Sequence, residues 1–496
     1  MSPKLRAAIL GSTAVLALGA GVMVYAPTRS IAQTSVAPLA QPAGPASFAD
    51  VVERVRPAVV SVRVSRAAPA EAMSLDEDAG PSEDRNDMME RFFRRFGEGQ
   101  GPGRGAPQRS PRGTAQGSGF FISADGFVVT NNHVVEGASE AEIVLDGGRV
   151  LKAKVVGTDP RTDLALLKAD GSGFTFVKFA ERAPRVGDWV IAVGNPFGLG
   201  GTVTAGIVSA RGRDIGSGPY DDFLQIDAPI NRGNSGGPTF NAIGEVIGVN
   251  TAIFSPSGGN VGIAFAIPSE TTQTVVASLR DKGTVARGWI GIQVQPVTAD
   301  IAESLGLRTP DGALIAAVQP DSPAARANLR SSDVITAVNG QAVKEARDLT
   351  RRVGAIQPGT PIKLTVQRDG REMTVDLSLG TLPSERASLT QPDVRRGDQG
   401  GLDLPRLGLS LAPAGRVPGA GSEGVVVTQV DPSGQAAQRG LRSGDIIVEA
   451  AGKAVTRPSD IRDALRQART EGRKSALLKV RSAEGMRFVA IPLAAS

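Results

Sequence analysis

A mainly β protein of about three domains is predicted from three features of the chain. Between residues 117 and 268, short β-branched runs recur between Gly, Asn-Pro and Asp-Gly turns. The remainder of the chain, from about residue 286, repeats itself at a constant offset. At 496 residues the chain also exceeds what one hydrophobic core serves.

The strand-like runs fall at residues 119–123, 126–130, 141–145, 164–168, 189–193, 206–210, 244–250 and 262–266. Regular short strands with turn signals point to an antiparallel sandwich or a pair of barrels, not to alternating β/α units. Upstream, residues 48–56 carry Phe48, Val51, Val52 and Val55 at helical spacing, Pro57 stops the helix, and residues 59–64 alternate as a strand. A helix over 271–281 leads out of this region. In the repeat, Gly312, Pro320, Leu329, Asp333, Gly340, Val343 and Leu349 return as Gly424, Pro432, Leu441, Asp445, Gly452, Val455 and Ile461, about 112 residues later. The expected domains are 46–282, 286–380 and 405–494, with a polar linker over 381–404 rich in Gly, Pro and charge. Residues 65–112 pass from an acidic stretch to a Gly/Pro/Arg-rich tail without core periodicity, a long insertion. Within it Met89, Phe92, Phe93 and Phe96 share a helical face that water disfavours.

Composition removes several functions. With no cysteine, thiol nucleophiles, disulfides and Cys-ligated zinc are excluded. A single histidine rules out a multi-histidine metal site within one chain, no calcium-loop spacing occurs, and no metal or cofactor is expected. The charge of +5 is too small over this length to argue for nucleic acid. Lys4 and Arg6 precede an apolar run over 7–25 and a small-residue site near Ala32. That is the layout of a cleavable export signal over 1–32, with an uncleaved anchor as the alternative. At most peripheral membrane contact is expected of the mature chain.

Gly233-Asn234-Ser235-Gly236-Gly237 presents a serine on a glycine-flanked turn, where backbone N–H groups of Gly233, Asn234 and Ser235 can form an oxyanion hole. The pentapeptide also fits the nucleophile elbow of α/β-hydrolases, but those place their histidine after the serine, and none follows Ser235. A serine hydroxyl needs a base of near-neutral pKa, and His133, at the end of a strand, is the one imidazole present. The carboxylate that orients it is expected in Asp163, at the head of an apolar strand that would bury it, with Asp159 and Asp170 as alternatives.

Residues 130–135 (TNNHVV), 162–167 (TDLALL), 194–199 (GNPFGL) and 231–237 (NRGNSGG) together resemble the HtrA/Deg serine proteases, from about residue 48 to the C-terminus. The resemblance implies a chymotrypsin-like double β-barrel followed by two α+β PDZ domains. It implies pocket walls from residues 228–234 and 252–262. The place of a trypsin-like carboxylate is held by Pro229, near Asp227, while Ile230, Ile253 and Ile263 suit small aliphatic side chains. It also implies that Trp289-Ile290-Gly291-Ile292 and Leu407-Gly408-Leu409 hold the C-terminal carboxylate of peptides added as strands. Asn328 and Ser332 depart from the pattern where Gly440 and Gly444 keep it. The implied activity is ATP-independent endoproteolysis of misfolded exported proteins in the periplasm, with chaperone-like holding. A dedicated signalling protease, or a scaffold with a vestigial triad, are the alternatives. Partners implied are unfolded polypeptides, exposed C-termini, and copies of the chain in trimers and larger assemblies, with the insertion reaching a neighbouring active site.

Overall fold

Twelve strands build two closed barrels that share one apolar seam. The computed structural model describes residues 47–65, 114–198, 200–255, 259–383, 402–404, 407–483 and 485–493. The expected export signal and the insertion with its phenylalanines lie outside the described residues, apart from the insertion's first residue. No helix among those described is long and apolar enough to cross a membrane.

The first barrel closes in the order β1 (Val59–Ser65), β2 (Thr114–Phe121), β3 (Phe127–Thr130), β6 (Leu164–Ala169), β5 (Val150–Asp159), β4 (Glu140–Val144). Side chains alternate faces along a strand, so Val60, Val62 and Val64 fill the interior with Phe121, Val128 and Leu167. Strand β6 is apolar on both faces for a reason. Ala165 and Leu167 point into the barrel, whereas Leu164 and Leu166 join Phe120, Ile191, Phe240 and Leu279 in the seam. The second barrel closes in the order β10 (Pro238–Phe240), β11 (Val246–Ile253), β12 (Ala264–Pro268), β9 (Phe223–Ile226), β8 (Thr202–Arg213), β7 (Trp189–Gly194). Helix Ser269–Lys282 covers the seam with Val275, Val276 and Leu279 and stops at Gly283 in the left-handed conformation (φ 69°).

The repeat becomes two similar sheets. The first runs β14 (Ile292–Pro296), β15 (Ala313–Val318), β16 (Val334–Val338), β18 (Pro361–Arg368), β19 (Arg371–Ser378), with the short β17 (Gln341–Ala342) beside β16 and helix Ala346–Ala355 against the sheet. Its leading strand β13 (Gly288–Trp289) pairs instead with β20 (Gly380–Thr381). The second runs β21 (Leu402–Leu404), β22 (Leu409–Pro413), β23 (Val425–Val430), β24 (Ile446–Ala450), β26 (Ser475–Ser482), β27 (Gly485–Pro492), with the short β25 (Lys453–Ala454) beside β24 and helix Pro458–Thr470 against the sheet. The two cores correspond residue by residue: Leu329, Val343 and Leu349 in one, Leu441, Val455 and Ile461 in the other.

Two boundaries differ from the sequence expectation. Residues 402–404, placed in the linker, are a strand of the second sheet. Thr381 is likewise paired, not linker. The departures at Asn328 and Ser332 change no backbone: both adopt positive φ (57° and 75°), as do Gly440 and Gly444 (78° and 97°). Asn tolerates that region well and Ser poorly, so at Ser332 the first module carries strain that the second lacks at Gly444.

The three domains touch. Arg287 and Asp159, both buried, form a two-pronged ion pair (Nη1–Oδ1 2.8 Å) between the first module's leading segment and the end of β5. Arg347 and Arg351 of helix Ala346–Ala355 pair with Asp214 and Asp222 of the loop after β8. Between the modules, Val297, Ile301, Leu314 and Val334 pack on Phe488 and Ala490. The Gln295 amide donates to Phe488 O (3.0 Å) and accepts from Phe488 N–H (2.7 Å).

Candidate functional site

His133, Asp163 and Ser235 converge where the two barrels meet. After β3 the chain turns through extended Asn131 into a short helix, Asn132–Val135. Val134 and Val135 anchor that helix in the first barrel's core, which leaves His133 facing outward. Asp163 sits just before β6 at φ 54°, unusual for a residue with a side chain. Its carbonyl accepts from Asn131 Nδ2 (2.9 Å) and Asn132 N–H (3.1 Å), which hold that conformation against the histidine loop.

The carboxylate of Asp163 is 8 % exposed as a residue and accepts three hydrogen bonds. They come from His133 N–H to Oδ1 (3.0 Å), and from His133 Nδ1 (2.8 Å) and Thr251 Oγ1 (2.6 Å) to Oδ2. An ionised carboxylate only accepts, so the proton sits on Nδ1 and the lone pair on Nε2. Asp159 is spent on Arg287 and Thr162, and Asp170 is exposed, so neither alternative orients the imidazole.

Ser235 rides a compact turn. Asn234 N–H donates to Asn231 O (3.1 Å), Gly237 N–H to Asn234 O (3.0 Å), and Gly236 N–H to Asn250 O (2.8 Å). Gly236 has φ 85°, and a Cβ there would lie 2.2 Å from Ser118 O, so only glycine fits. Ser118 clamps the turn. Its N–H donates to Ser235 O (2.8 Å), its hydroxyl donates to Gly233 O (2.6 Å), and the same oxygen accepts from Asn195 N–H (2.8 Å). The Ser235 hydroxyl donates to Thr251 O at 3.3 Å. Thr251 therefore binds the acid with its side chain and the serine with its backbone.

Among the described residues no carbonyl takes the N–H of Gly233 or of Ser235, whereas that of Asn234 is used within the turn. The oxyanion expectation is thus corrected at Asn234, whose amide points into the turn. Of the pocket residues, Ile230 and Ile253 pack together on the second barrel's core, and Pro229 is exposed beside them. Ile263 does not join them. Ala264 is the cross-strand partner of Ile253, so Ile263, one residue away, lies on the opposite face and packs on the seam.

The two module loops are built alike. In the first, Ile290 O accepts from Ala324 N–H (2.8 Å) and Gly291 O from Gln319 N–H (2.8 Å). In the second, Leu407 O accepts from Ala436 N–H (3.1 Å) and Gly408 O from Asp431 N–H (2.8 Å).

Thr251 and Ser118 escaped the sequence reading. The signal was present: Asn250-Thr251 is a polar pair inside the apolar run of β11, and Ser118 stands between glycines in β2. Buried polar groups in such runs need named partners.

Comparison with known proteins agrees with this arrangement. The trypsin-like peptidase domain family matches residues 117–249, and PDZ domain families match 288–379 and 426–480. A probable periplasmic serine endoprotease, DegP-like, from Rhizobium meliloti (strain 1021) is 49 % identical, covering 98 % of this chain and 99 % of its own. Its counterpart from Brucella suis biovar 1 is 51 % identical over 90 % of each. Among solved structures, the HtrA-type protease AlgW with decapeptide is 37 % identical with a TM-score of 0.54, over 68 % of this chain and 99 % of that one. AlgW with tripeptide gives 36 % and 0.56, over 69 % and 99 %.

Proposed function

The chain belongs to the HtrA-type, DegP-like serine endoproteases, and we propose that it degrades unfolded or misfolded exported polypeptides in the periplasm through Ser235, His133 and Asp163. The observation that carries the site assignment is the bridge made by Thr251. It joins the acid that orients His133 Nδ1 to the hydroxyl that must attack.

In this reading the Ser235 hydroxyl turns from Thr251 O to His133 Nε2 and gives up its proton as Oγ attacks the scissile carbonyl. Asp163 stabilises the imidazolium that forms. The N–H groups of Gly233 and Ser235 hold the oxyanion, and the imidazolium then protonates the leaving amine. Water activated by the same imidazole releases the acyl group from Ser235. Selection for unfolded chains follows from the substrate having to enter extended, and the PDZ modules supply further strand-adding contacts. Chaperone-like holding and assembly into trimers and larger oligomers are part of the same proposal.

Casein cleavage tests it. Ser235→Ala should lower kcat by at least about 10⁴-fold, as loss of a nucleophile does elsewhere. Cleavage surviving that change removes Ser235 from the mechanism. A chain that spares casein but cuts one folded protein is a signalling protease instead.

A further inference from the structure

We propose that the peptide groove of the second PDZ module is occupied by the chain's own residues 402–404, so that the first module alone is open to an extended peptide. The inference rests on reading both modules as peptide binders, and it assigns their division of labour.

In each module the strand after the carboxylate loop is the one a peptide would join: β14 in the first, β22 in the second. Strand β14 is the edge of its sheet, and its backbone ladder is shared with β15 alone, while the side chains of Gln293 and Gln295 reach the second module at Met486 and Phe488. Strand β22 has β23 on one side and β21 on the other. The β21 pairing is antiparallel, with Leu402 opposite Leu411, Asp403 opposite Ser410 and Leu404 opposite Leu409. Strand β21 therefore runs toward the loop and ends there, as a docked C-terminus does.

The loop itself is engaged. Leu404 O accepts from both Leu407 N–H (2.9 Å) and Gly408 N–H (3.1 Å), the donors a terminal carboxylate would use. The Leu404 side chain packs on the cluster that contains Leu407, Leu409, Ile461 and Ala464, between β22 and helix Pro458–Thr470. Position, direction, backbone donors and apolar anchor are those of a bound peptide's last residue. In the first module the segment at the same distance before the loop, residues 285–287, and the two residues after it go elsewhere. Gly288-Trp289 pairs with Gly380-Thr381, Arg287 O accepts from Leu382 N–H (3.0 Å), and no described carbonyl takes the Ile290 or Gly291 N–H. Since the loops are built alike, occupancy and not architecture separates the modules.

A two-residue connection holds residues 402–404 at the groove. Such short tethers give effective concentrations of about millimolar or above, which a weak free peptide does not overcome.

The test uses the full chain carrying Ser235→Ala, so that the probe is not cut. The probe is a fluorescein-labelled decapeptide with a free C-terminal leucine, and its C-terminal amide is the control. Calorimetry should give one equivalent per chain for this parent and two after Leu404→Asp or Leu404→Gly. Hydrogen exchange should place the added protection on residues 407–411. Because the chain has no cysteine, D403C with S410C forms one defined disulfide that should return the count to one in the Leu404→Gly background. Two equivalents on the parent, or one equivalent after both Leu404 changes, overturn the proposal. Absence of binding to any of these chains overturns instead the reading of the modules as peptide binders.

Discussion

Thr251 is a residue whose loss separates orientation from binding. Thr251→Val keeps the shape but removes a hydrogen bond to a charged acceptor, worth about 1.5–3 kcal/mol. The expected result is a fall in kcat of roughly 10- to 100-fold with KM little changed, measured on a short chromogenic peptide. A second prediction concerns Ser332, held at φ 75° where its repeat partner is Gly444. Ser332→Gly should stabilise the first module by about 1 kcal/mol by relieving left-handed strain, read from urea midpoints. At this scale the proposed triad was legible because Ser235, His133 and Asp163 each sit in a local pattern, and the single imidazole left no competitor. Thr251 was not legible, because its contact with Asp163 spans 88 residues of chain and exists only once two barrels close on each other.

Helix Ala346–Ala355 links the first module to the protease domain and carries a pH-dependent element. Burial pushes the Asp348 carboxyl up, but hydrogen bonds from Arg352 (2.8 Å), Arg351 (3.3 Å) and Lys344 N–H (3.4 Å) outweigh it and hold it below the ordinary 3.8. A lowered folded pKa means the ionised form supports the fold. That contribution is full above about pH 4 and is lost as pH falls through the folded value. The stability gap between wild type and Asp348→Asn should therefore be constant from pH 7 down to about 5 and close below 4, followed by chemical denaturation. Most barrel strands were legible as β-branched runs between turns. Strand β5 was not: its residues alternate with lysines, and Gly157 interrupts it. That glycine admits the backbone of Gly283, since a Cβ would lie 2.2 Å from Gly283 O. Strand β21 was missed because three residues in a polar linker carry no periodicity; their register comes from β22.

Across the whole molecule, the two PDZ modules are one apolar unit. Phe488 is buried between them, and its backbone is bracketed by Gln295. Phe488→Ala should cost about 3 kcal/mol and split a single calorimetric transition of the tandem into two. A tandem that melts in one step in both chains speaks against that coupling. The repeat announced two copies of a module, but not that their sheets would share a seam, because the residues of that seam are ordinary core apolars in each copy. The rarity of the base has a further use at this scale. One imidazole in 496 residues means one set of imidazole signals in a proton or nitrogen NMR spectrum of the entire chain. With Nδ1 2.8 Å from Asp163 Oδ2, that set reports the protonation of the proposed catalytic centre without any need to tell one histidine from another. The protein carries its own titration indicator.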